Sequence, residues 1–229
     1  MLLPLPRPKP DLFLPVLAFF TVFAVLTAAT TASSPRTCAP WASTFTIAFV
    51  SGIPATTSTG AGDAIEVIDD AASAVNTGMM YYDYPTRAVR IDHGPGAHEC
   101  IRFYNTSAAC TEYFLPRGMV IDLPHQRSCC LSVPGVGPNP PDWTAVLDYV
   151  GSATIDGVAA DQWLYGRHGY WNEVAPAGNP AIPLRFSFPN ATQDYWFSPH
   201  SYSTKPIPAS VFTLPPYCTL DPSSHPFLS

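Results

Sequence analysis

The sequence predicts a mainly β protein, a predominantly antiparallel sheet with one or two short helices. The 229-residue chain contains 27 prolines, a density that forbids long helices and favours short strands joined by structured loops. Several short segments alternate apolar and polar side chains, which is the two-residue period of a strand. Between two such segments lies Asp156-Gly157, a pair typical of a two-residue hairpin turn because both positions tolerate positive φ.

The N-terminal 32 residues predict a secretory signal peptide. Arg7 and Lys9 form a basic segment, an apolar run covers residues 13–26, and small residues follow, in the order of a cleavable signal. The apolar run is shorter than the ~20 residues of a comfortable membrane span. The alternative is a retained segment that makes the chain a type II signal-anchored membrane protein. We expect cleavage after Ala29 or Ala32; cleavage after Ala32 leaves one secreted domain, residues 33–229, with an irregular tail from about residue 219.

The charge of the mature chain excludes one class of partner. Removing Arg7, Lys9 and Asp11 from 11 basic and 17 acidic residues leaves a net charge of −7. An acidic chain is repelled by the phosphate backbone of a nucleic acid. We therefore expect no nucleic-acid partner, and a membrane partner only if the signal segment is retained.

Hydrophobic periodicity predicts the elements in chain order. Residues 63–78 have a capping pair, apolar residues at helical spacing and a terminal glycine, which together predict a helix. A second, short helix is predicted from Asp142, which follows two prolines and can cap free amides. The predicted strands cover residues 44–50, 79–84, 88–92, 100–104, 110–115, 118–122, 128–131, 184–188, 193–197 and 211–214, together with the hairpin over residues 149–165.

The hairpin around Asp156-Gly157 has a predicted register, because a two-residue turn fixes which residues face each other. One face is apolar, with Ile155 opposite Val158 and Tyr149 opposite Leu164. The other face places Trp163 opposite Val150, away from the apolar set.

Six cysteines in an exported chain predict a disulfide framework of three bridges. They are Cys38, Cys100, Cys110, Cys129, Cys130 and Cys218. Neighbouring residues of a strand point to opposite faces, so we expect Cys129 and Cys130 to bond to different partners. No free thiol is expected.

A polar cluster near the middle of the chain contains Asp92, His93, His98 and Glu99. These residue types bind zinc or calcium, but the intervening glycines and proline are typical of a turn. The sequence favours a solvated loop over a metal site. No catalytic motif, such as a nucleophile elbow, a phosphate loop or a zinc-protease helix, is present, and we assign no catalytic residue.

Two sequons predict N-linked glycosylation at Asn105 and Asn190. Each adjoins a predicted strand end or turn, where a glycan can extend into solvent.

The order of landmarks resembles the ependymin-related secreted glycoproteins. The landmarks are Cys38 with Trp41, the hairpin ending at Arg90-Ile91-Asp92, Cys100 with Cys110, a later Cys129 or Cys130, the hairpin from Gly151 to Trp163, and Cys218. The resemblance implies a half-barrel or cup-shaped antiparallel sheet, shared with bacterial lipoprotein carriers. It also implies a non-enzymatic role in binding hydrophobic ligands, and calcium association as the one cofactor to consider.

The leading hypothesis is a secreted binding protein that holds a lipid-like hydrophobic ligand in an apolar pocket. The predicted pocket residues are Tyr149, Ile155, Val158, Leu164, Leu184, Phe186 and Phe188. One alternative is an extracellular hydrolase whose site is assembled by the fold, since catalytic partners need not be adjacent in sequence. The other is a cell-wall or matrix structural protein, suggested by the proline content.

Overall fold

Eleven antiparallel strands form a single curved, unclosed sheet in the residues that the computed structural model describes, 39–52, 76–166, 169–174, 179–188 and 194–221. The predicted mainly β fold is confirmed. All these residues belong to one compact unit, Pro35–Ser229. The strands are β1 (Thr44–Gly52), β2 (Asn76–Asp83), β3 (Ala88–His93), β4 (Cys110–Leu115), β5 (Gly118–Leu123), β6 (Ser128–Pro134), β7 (Asp148–Ile155), β8 (Val158–Leu164), β9 (Tyr170–Val174), β10 (Ile182–Ser187) and β11 (Asp194–Phe197), and the helix is α1 (His98–Tyr104).

The sheet consists of two meanders that meet at β1 and β11. The strand order is β6-β5-β4-β3-β2-β1-β11-β10-β9-β8-β7, and the junction pairs Phe49 with Phe197. Strand β1 therefore lies at the centre of the sheet, and the largest hydrophobic cluster forms around it, with Phe45 and Ile47 fully buried. The first and last of the described strands therefore lie side by side in the middle of the sheet.

Most predicted strands match the structure apart from their ends, and the predicted hairpin turn is confirmed. Asp156 and Gly157 both have positive φ, 48° and 78°. The predicted register holds near the turn, but at the open end Tyr149 pairs with Trp163 rather than with Leu164. A β-bulge between Tyr149 and Gly151 is the reason, because one extra residue on β7 shifts the pairing by one position.

The predicted strand over residues 100–104 is instead helix α1. Cys100 and Tyr104, one helical turn apart, are both buried, while Ile101 and Phe103 are about half exposed. Alternating apolar residues on two faces of a short segment also suit a strand, which explains the wrong prediction. Asn105 ends the helix in the left-handed conformation, with φ of 49°.

Three further predictions are corrected. Residues 76–78 of the predicted helix belong to β2, and the rest of that helix lies outside the described residues. The helix predicted from Asp142 is a single 3-10 turn, Trp143–Val146, because β7 begins two residues later. The predicted strand over residues 211–214 is replaced by a 3-10 turn, Ala209–Phe212, that follows Pro208.

Strand β9 was not predicted. It has only five residues, and glycine and polar residues surround it in sequence. Its position between β8 and β10 nevertheless brings Trp171 to the centre of the largest hydrophobic cluster.

Two disulfides are present among the described residues, Cys100–Cys110 and Cys129–Cys218. The first joins α1 to β4, and the second ties the C-terminal segment to edge strand β6. The expectation of three bridges and no free thiol is wrong at Cys130, which is a buried free cysteine. Cys38 lies outside the described residues. As predicted, the adjacent Cys129 and Cys130 do not bond to each other, since they point to opposite faces of β6.

The C-terminal segment covers the outer edge of β6. The amide of Thr219 donates to the carbonyl of Cys129 at 2.9 Å, and the amide of Leu131 donates to the carbonyl of Thr219 at 3.2 Å. These bonds satisfy backbone groups that an open sheet would leave unpaired. The disulfide at Cys218 therefore holds a strand-like cover on one edge of the sheet.

The predicted signal segment, residues 1–32, lies outside the described residues. Within the described ranges, no helix has the length and apolar character needed to cross a membrane.

Candidate functional site

A cavity of about 250 Å³ lies on one face of the sheet, over its central strands. Nine of its twelve lining residues are aromatic. The lining residues are Trp41, Phe49, Met80, Ile91, Asn139, Trp143, Tyr165, Trp171, Phe186, Phe188, Tyr195 and Phe197. We call this space the aromatic cavity, and the side of the sheet that bears it the cavity face.

The register of the strands gathers these side chains, because directly paired residues lie on the same face of a sheet. Consecutive partners across β8 to β11 are Trp163, Trp171, Phe186 and Tyr195. Across β2 and β3, Met80 pairs with Ile91. The cavity face is thus an aromatic row on the C-terminal meander that meets an aliphatic row on the N-terminal meander.

Three segments outside the strands complete the walls. Trp41 precedes β1, Trp143 belongs to the 3-10 turn before β7, and Tyr165 follows β8. The amide of Trp41 donates to the carbonyl of Pro141 at 2.9 Å, which joins the first two segments. The rings of Trp41, Trp143 and Trp171 then meet with centroids 5.1–5.4 Å apart, within the range of favourable aromatic pairs.

One buried carboxylate orients two of these indoles. Glu173 is fully buried, and its Oε2 accepts hydrogen bonds from Trp171 Nε1 at 2.9 Å and Trp41 Nε1 at 3.3 Å. Buried polar groups of a folded protein are nearly always hydrogen-bonded, which restricts them to a few orientations. Glu173 therefore fixes the ring planes of both tryptophans while staying out of the cavity lining.

The wall at Phe49 is supported from behind by Gly78. These residues are paired across β1 and β2, and a Cβ at position 78 would lie 2.5 Å from Phe49 Cε2 and 2.6 Å from the carbonyl oxygen of Asp92. No larger residue fits there without displacing the Phe49 ring. The glycine predicted to end a helix is instead the strand residue that makes room for a cavity wall.

The structure brings only two of the seven predicted pocket residues to the cavity, Phe186 and Phe188. Leu184 is buried elsewhere, next to a β-bulge of β10. The remaining four belong to the β7–β8 hairpin and do not line the cavity, and two of them, Tyr149 and Val158, are more than one-third exposed. They are Tyr149, Ile155, Val158 and Leu164.

The face assignment of the hairpin is corrected at Trp163. We expected this residue on the side away from the pocket, but it pairs with Trp171 and is 3 % exposed within the largest hydrophobic cluster. Trp163 therefore lies on the cavity face. The small apolar side chains of the hairpin occupy the opposite face.

The tryptophans of the cavity wall were missed. Trp41, Trp143 and Trp171 are three of only five tryptophans in the chain, and each lies outside the predicted strands. Two features of these residues could have marked them as site residues: tryptophan is rare in the chain, and its side chain has a large apolar area. The convergence of residues more than a hundred positions apart depends on the β1–β11 pairing, which no local pattern reveals.

The predicted polar cluster divides between two faces of β3. Asp92 accepts hydrogen bonds from Arg90 and Thr111, while His93 points to the other side. Among the described residues, no group of three or more histidine, cysteine, aspartate or glutamate side chains is placed to hold a metal ion. The prediction that these residues form a solvated loop is wrong for His93 and Glu99, because both are almost completely buried.

His93 lies between two carboxylates beside the cavity wall. Its Nε2 is 3.4 Å from Glu112 Oε2 and its Nδ1 is 3.8 Å from Glu99 Oε2. Burial alone would lower the pKa of His93, but the contact with Glu112 and the charges of Glu99 and Asp92 outweigh it and raise the pKa. The ring also contacts Phe49, with centroids 5.8 Å apart. The buried His93 side chain thus links β3 to α1 and β4 next to the cavity.

A larger and more open cleft of about 900 Å³ lies near the start of β1 and the β2–β3 turn. Its lining residues are mostly prolines and residues with short side chains, including Ser43, Pro85 and Pro206. Its one charged lining residue, Asp83, already accepts hydrogen bonds from Thr44 and Thr86. We favour the smaller aromatic cavity as the functional site because its lining is almost entirely aromatic and aliphatic, whereas the wall of the larger cleft also contains serine, threonine, asparagine and aspartate side chains.

Of the two predicted glycosylation sites, Asn105 is exposed at the end of α1, and Ser107 of the same sequon is also exposed. Asn190 lies outside the described residues. An exposed sequon beside a helix end leaves space for a glycan, so glycosylation at Asn105 stays a prediction.

Comparisons with known proteins identify no family. No family model and no curated protein matches the chain. Among solved structures, the chain is similar to an uncharacterized conserved protein from Thermus thermophilus, with 15 % sequence identity and a TM-score of 0.48, over 79 % of this chain and 91 % of that one. The resemblance to the ependymin-related proteins therefore stays a prediction.

Proposed function

We propose that this protein is a non-enzymatic binding protein that holds a hydrophobic small molecule in the aromatic cavity. The observation that supports this most directly is the lining itself, in which every residue except Asn139 contributes an aromatic ring or an aliphatic side chain. Moving apolar surface from water into such a site is favourable by roughly 25 cal/mol per Å². Removal from water is sufficient for binding, and no reacting group is needed.

A blocked-cavity variant tests this function. Ile91→Trp places an indole into the cavity from β3, whereas Val158→Trp makes a similar change at a position that is 40 % exposed and outside the cavity. Both proteins should retain the circular dichroism spectrum of the wild type. We expect an uncharged, environment-sensitive naphthalene dye to bind saturably to the wild type and to Val158→Trp, but not to Ile91→Trp.

The proposal fails if the dye binds all three proteins equally, because the site would then be elsewhere. It also fails if neither the dye nor any apolar molecule extracted from the purified protein binds with one-to-one stoichiometry. A structural or adhesive role would then be the better account.

We further propose that the protein works outside the cell. Its two disulfides are typical of proteins that fold in an oxidising compartment, and the N-terminal sequence has the order of a signal peptide. Expression in a secretory host followed by N-terminal sequencing should give a product that begins at Ser33 or Thr30. A product that keeps residues 13–26 and fractionates with membranes would establish the anchored form instead.

A further inference from the structure

The size of the aromatic cavity limits its occupant. Its volume of about 250 Å³ lies below the ~300–1,000 Å³ of typical small-molecule sites. An apolar cavity of about 150 Å³ is large enough to bind benzene, so in proportion this cavity holds about ten carbon atoms in compact rings. A long acyl chain has more carbon atoms than this and cannot enter completely.

The walls do not open easily to admit more. Trp41 and Trp171 are tied to the same buried carboxylate of Glu173. Elsewhere in the lining, the Phe49 ring rests against the backbone of Gly78 and packs against Phe197 at a centroid distance of 6.0 Å. Packed interiors resist local expansion. The cavity is therefore a preformed space of nearly fixed volume.

The composition of the walls favours rings over chains. Trp171, Phe186 and Tyr195 present rings side by side along the cavity face, and Phe186 contacts Phe188 with centroids 4.6 Å apart. An aromatic ligand forms edge-to-face or offset contacts with such rings and gains more than its buried area alone provides. An aliphatic chain gains only the free energy of burying its apolar surface.

The lining also selects by charge. None of the twelve described residues that line the cavity carries a charged side chain, and the most polar of them, Asn139, is exposed. An ion moved into such a site loses its hydration without gaining a partner. The amide of Asn139 can both donate and accept a hydrogen bond, which suits a ligand with one neutral polar group directed toward solvent.

We propose, on the basis of the function proposed above, that the ligand is a compact, uncharged molecule with one or two fused rings and a single neutral polar group. It is not a long-chain lipid. The ring portion fills the cavity, and the polar group faces Asn139.

Calorimetric titration of the purified, oxidised protein with two ligand series tests this inference. In the first series, straight-chain alcohols of increasing length should bind about fourfold tighter per methylene until the chain has about ten carbon atoms, and then no tighter. In the second series, 2-naphthol should bind more tightly than the best alcohol, and 2-naphthoate at least about tenfold more weakly than 2-naphthol, because its charge cannot be paired.

A matched pair of variants tests whether this cavity sets the chain length at which the affinity of the alcohols stops rising. Met80→Ala removes three heavy atoms from the wall, so the plateau of the alcohol series should move to chains about three carbons longer. Met119→Ala makes the same change at a residue that packs against a different cluster, and the plateau should not move.

The outcomes separate this inference from the proposed function. Affinity that keeps rising through dodecanol, or naphthoate that binds as well as naphthol, overturns the ligand class but leaves a hydrophobic binding protein. A plateau that moves in Met119→Ala as much as in Met80→Ala also overturns it, because the limit would not be set by the cavity wall. Absence of saturable binding to every compound overturns the proposed function itself.

Discussion

Replacing Gly78 by alanine is the sharpest test of how the sheet builds the cavity wall. The new Cβ would lie 2.5 Å from Phe49 Cε2 and 2.6 Å from the Asp92 carbonyl oxygen, whereas non-bonded carbon atoms prefer about 3.5–4.0 Å. The ring cannot move away freely, since it contacts Tyr195 and His93 with centroids 5.4 Å and 5.8 Å distant. The carbonyl belongs to the backbone of β3 and is still less able to move.

The expected cost follows from these distances. Overpacking of a well-packed core destabilises the fold by about 1–3 kcal/mol. Because the new methyl group meets both the Phe49 ring and the Asp92 carbonyl, we expect Gly78→Ala to lie at the upper end of this range, near 3 kcal/mol. For a domain of this size, about 1 kcal/mol corresponds to 2–4 °C in melting temperature, so we expect a decrease of about 6–12 °C. Ligand affinity should also fall, because the displaced Phe49 ring enters the aromatic cavity.

Urea and thermal unfolding, followed by circular dichroism, measure this cost. Gly137→Ala is the matched control, since its nearest neighbour, the Leu115 carbonyl oxygen, would be 3.6 Å from a new Cβ, and it should change stability by less than about 0.5 kcal/mol. In a Phe49→Leu background the cost of Gly78→Ala should decrease but not vanish, because the Asp92 carbonyl remains. A Gly78→Ala protein as stable as the control would refute the packing argument.

Three other predictions concern the remaining features. The pKa of His93 is raised in the folded protein, so its charged form stabilises the fold below its ordinary pKa of about 6.5, and this stabilisation is lost as the pH rises through the raised pKa. The free energy of unfolding should therefore decrease above about pH 6.5 in the wild type but not in His93→Gln. The His93→Gln protein should itself be about 3–5 kcal/mol less stable than the wild type. Burial raises the pKa of the Cys130 thiol, so alkylation followed by peptide mass spectrometry should modify Cys130 only in denaturant, and rapid modification of the native protein would contradict its placement. Cys218→Ser should cost about 2–5 kcal/mol and increase hydrogen exchange at the Leu131 amide, with an unchanged exchange rate counting against the edge cover.

The parts of the fold that depend on neighbouring residues could be predicted from the sequence. The turn at Asp156-Gly157 requires only two adjacent residues that tolerate positive φ, and the opposite directions of Cys129 and Cys130 follow from strand geometry. Segment 100–104 could not be predicted in this way, because its apolar residues suit either a strand or a helix. The disulfide to Cys110 and the surface offered by the sheet select the helix.

The face that bears the site was predicted incorrectly for a related reason. In the β7–β8 hairpin the more apolar face, with Ile155 and Val158, was expected to line the pocket, yet the cavity face carries Trp163 together with the polar Asp161. Which face of an edge hairpin is covered depends on strands paired far away in sequence. The aromatic row becomes visible only when Trp163 is placed opposite Trp171.

The buried polar groups explain why an almost wholly apolar cavity can keep one shape. Apolar contacts are not directional, so a wall of rings alone would have many packings of similar energy. Glu173 gives Trp41 and Trp171 a single orientation, and the buried His93 side chain, in contact with Glu99, fixes α1 against the sheet beside Phe49. Both polar groups lie outside the cavity lining. They therefore orient the wall residues without placing a charged side chain in the site. If this reasoning is right, Glu173→Leu should retain the fold but lose the ligand-size limit, because the two indoles could then rotate and change the cavity volume. An alcohol series that ends at the same chain length in Glu173→Leu and in the wild type would show instead that packing alone fixes the walls.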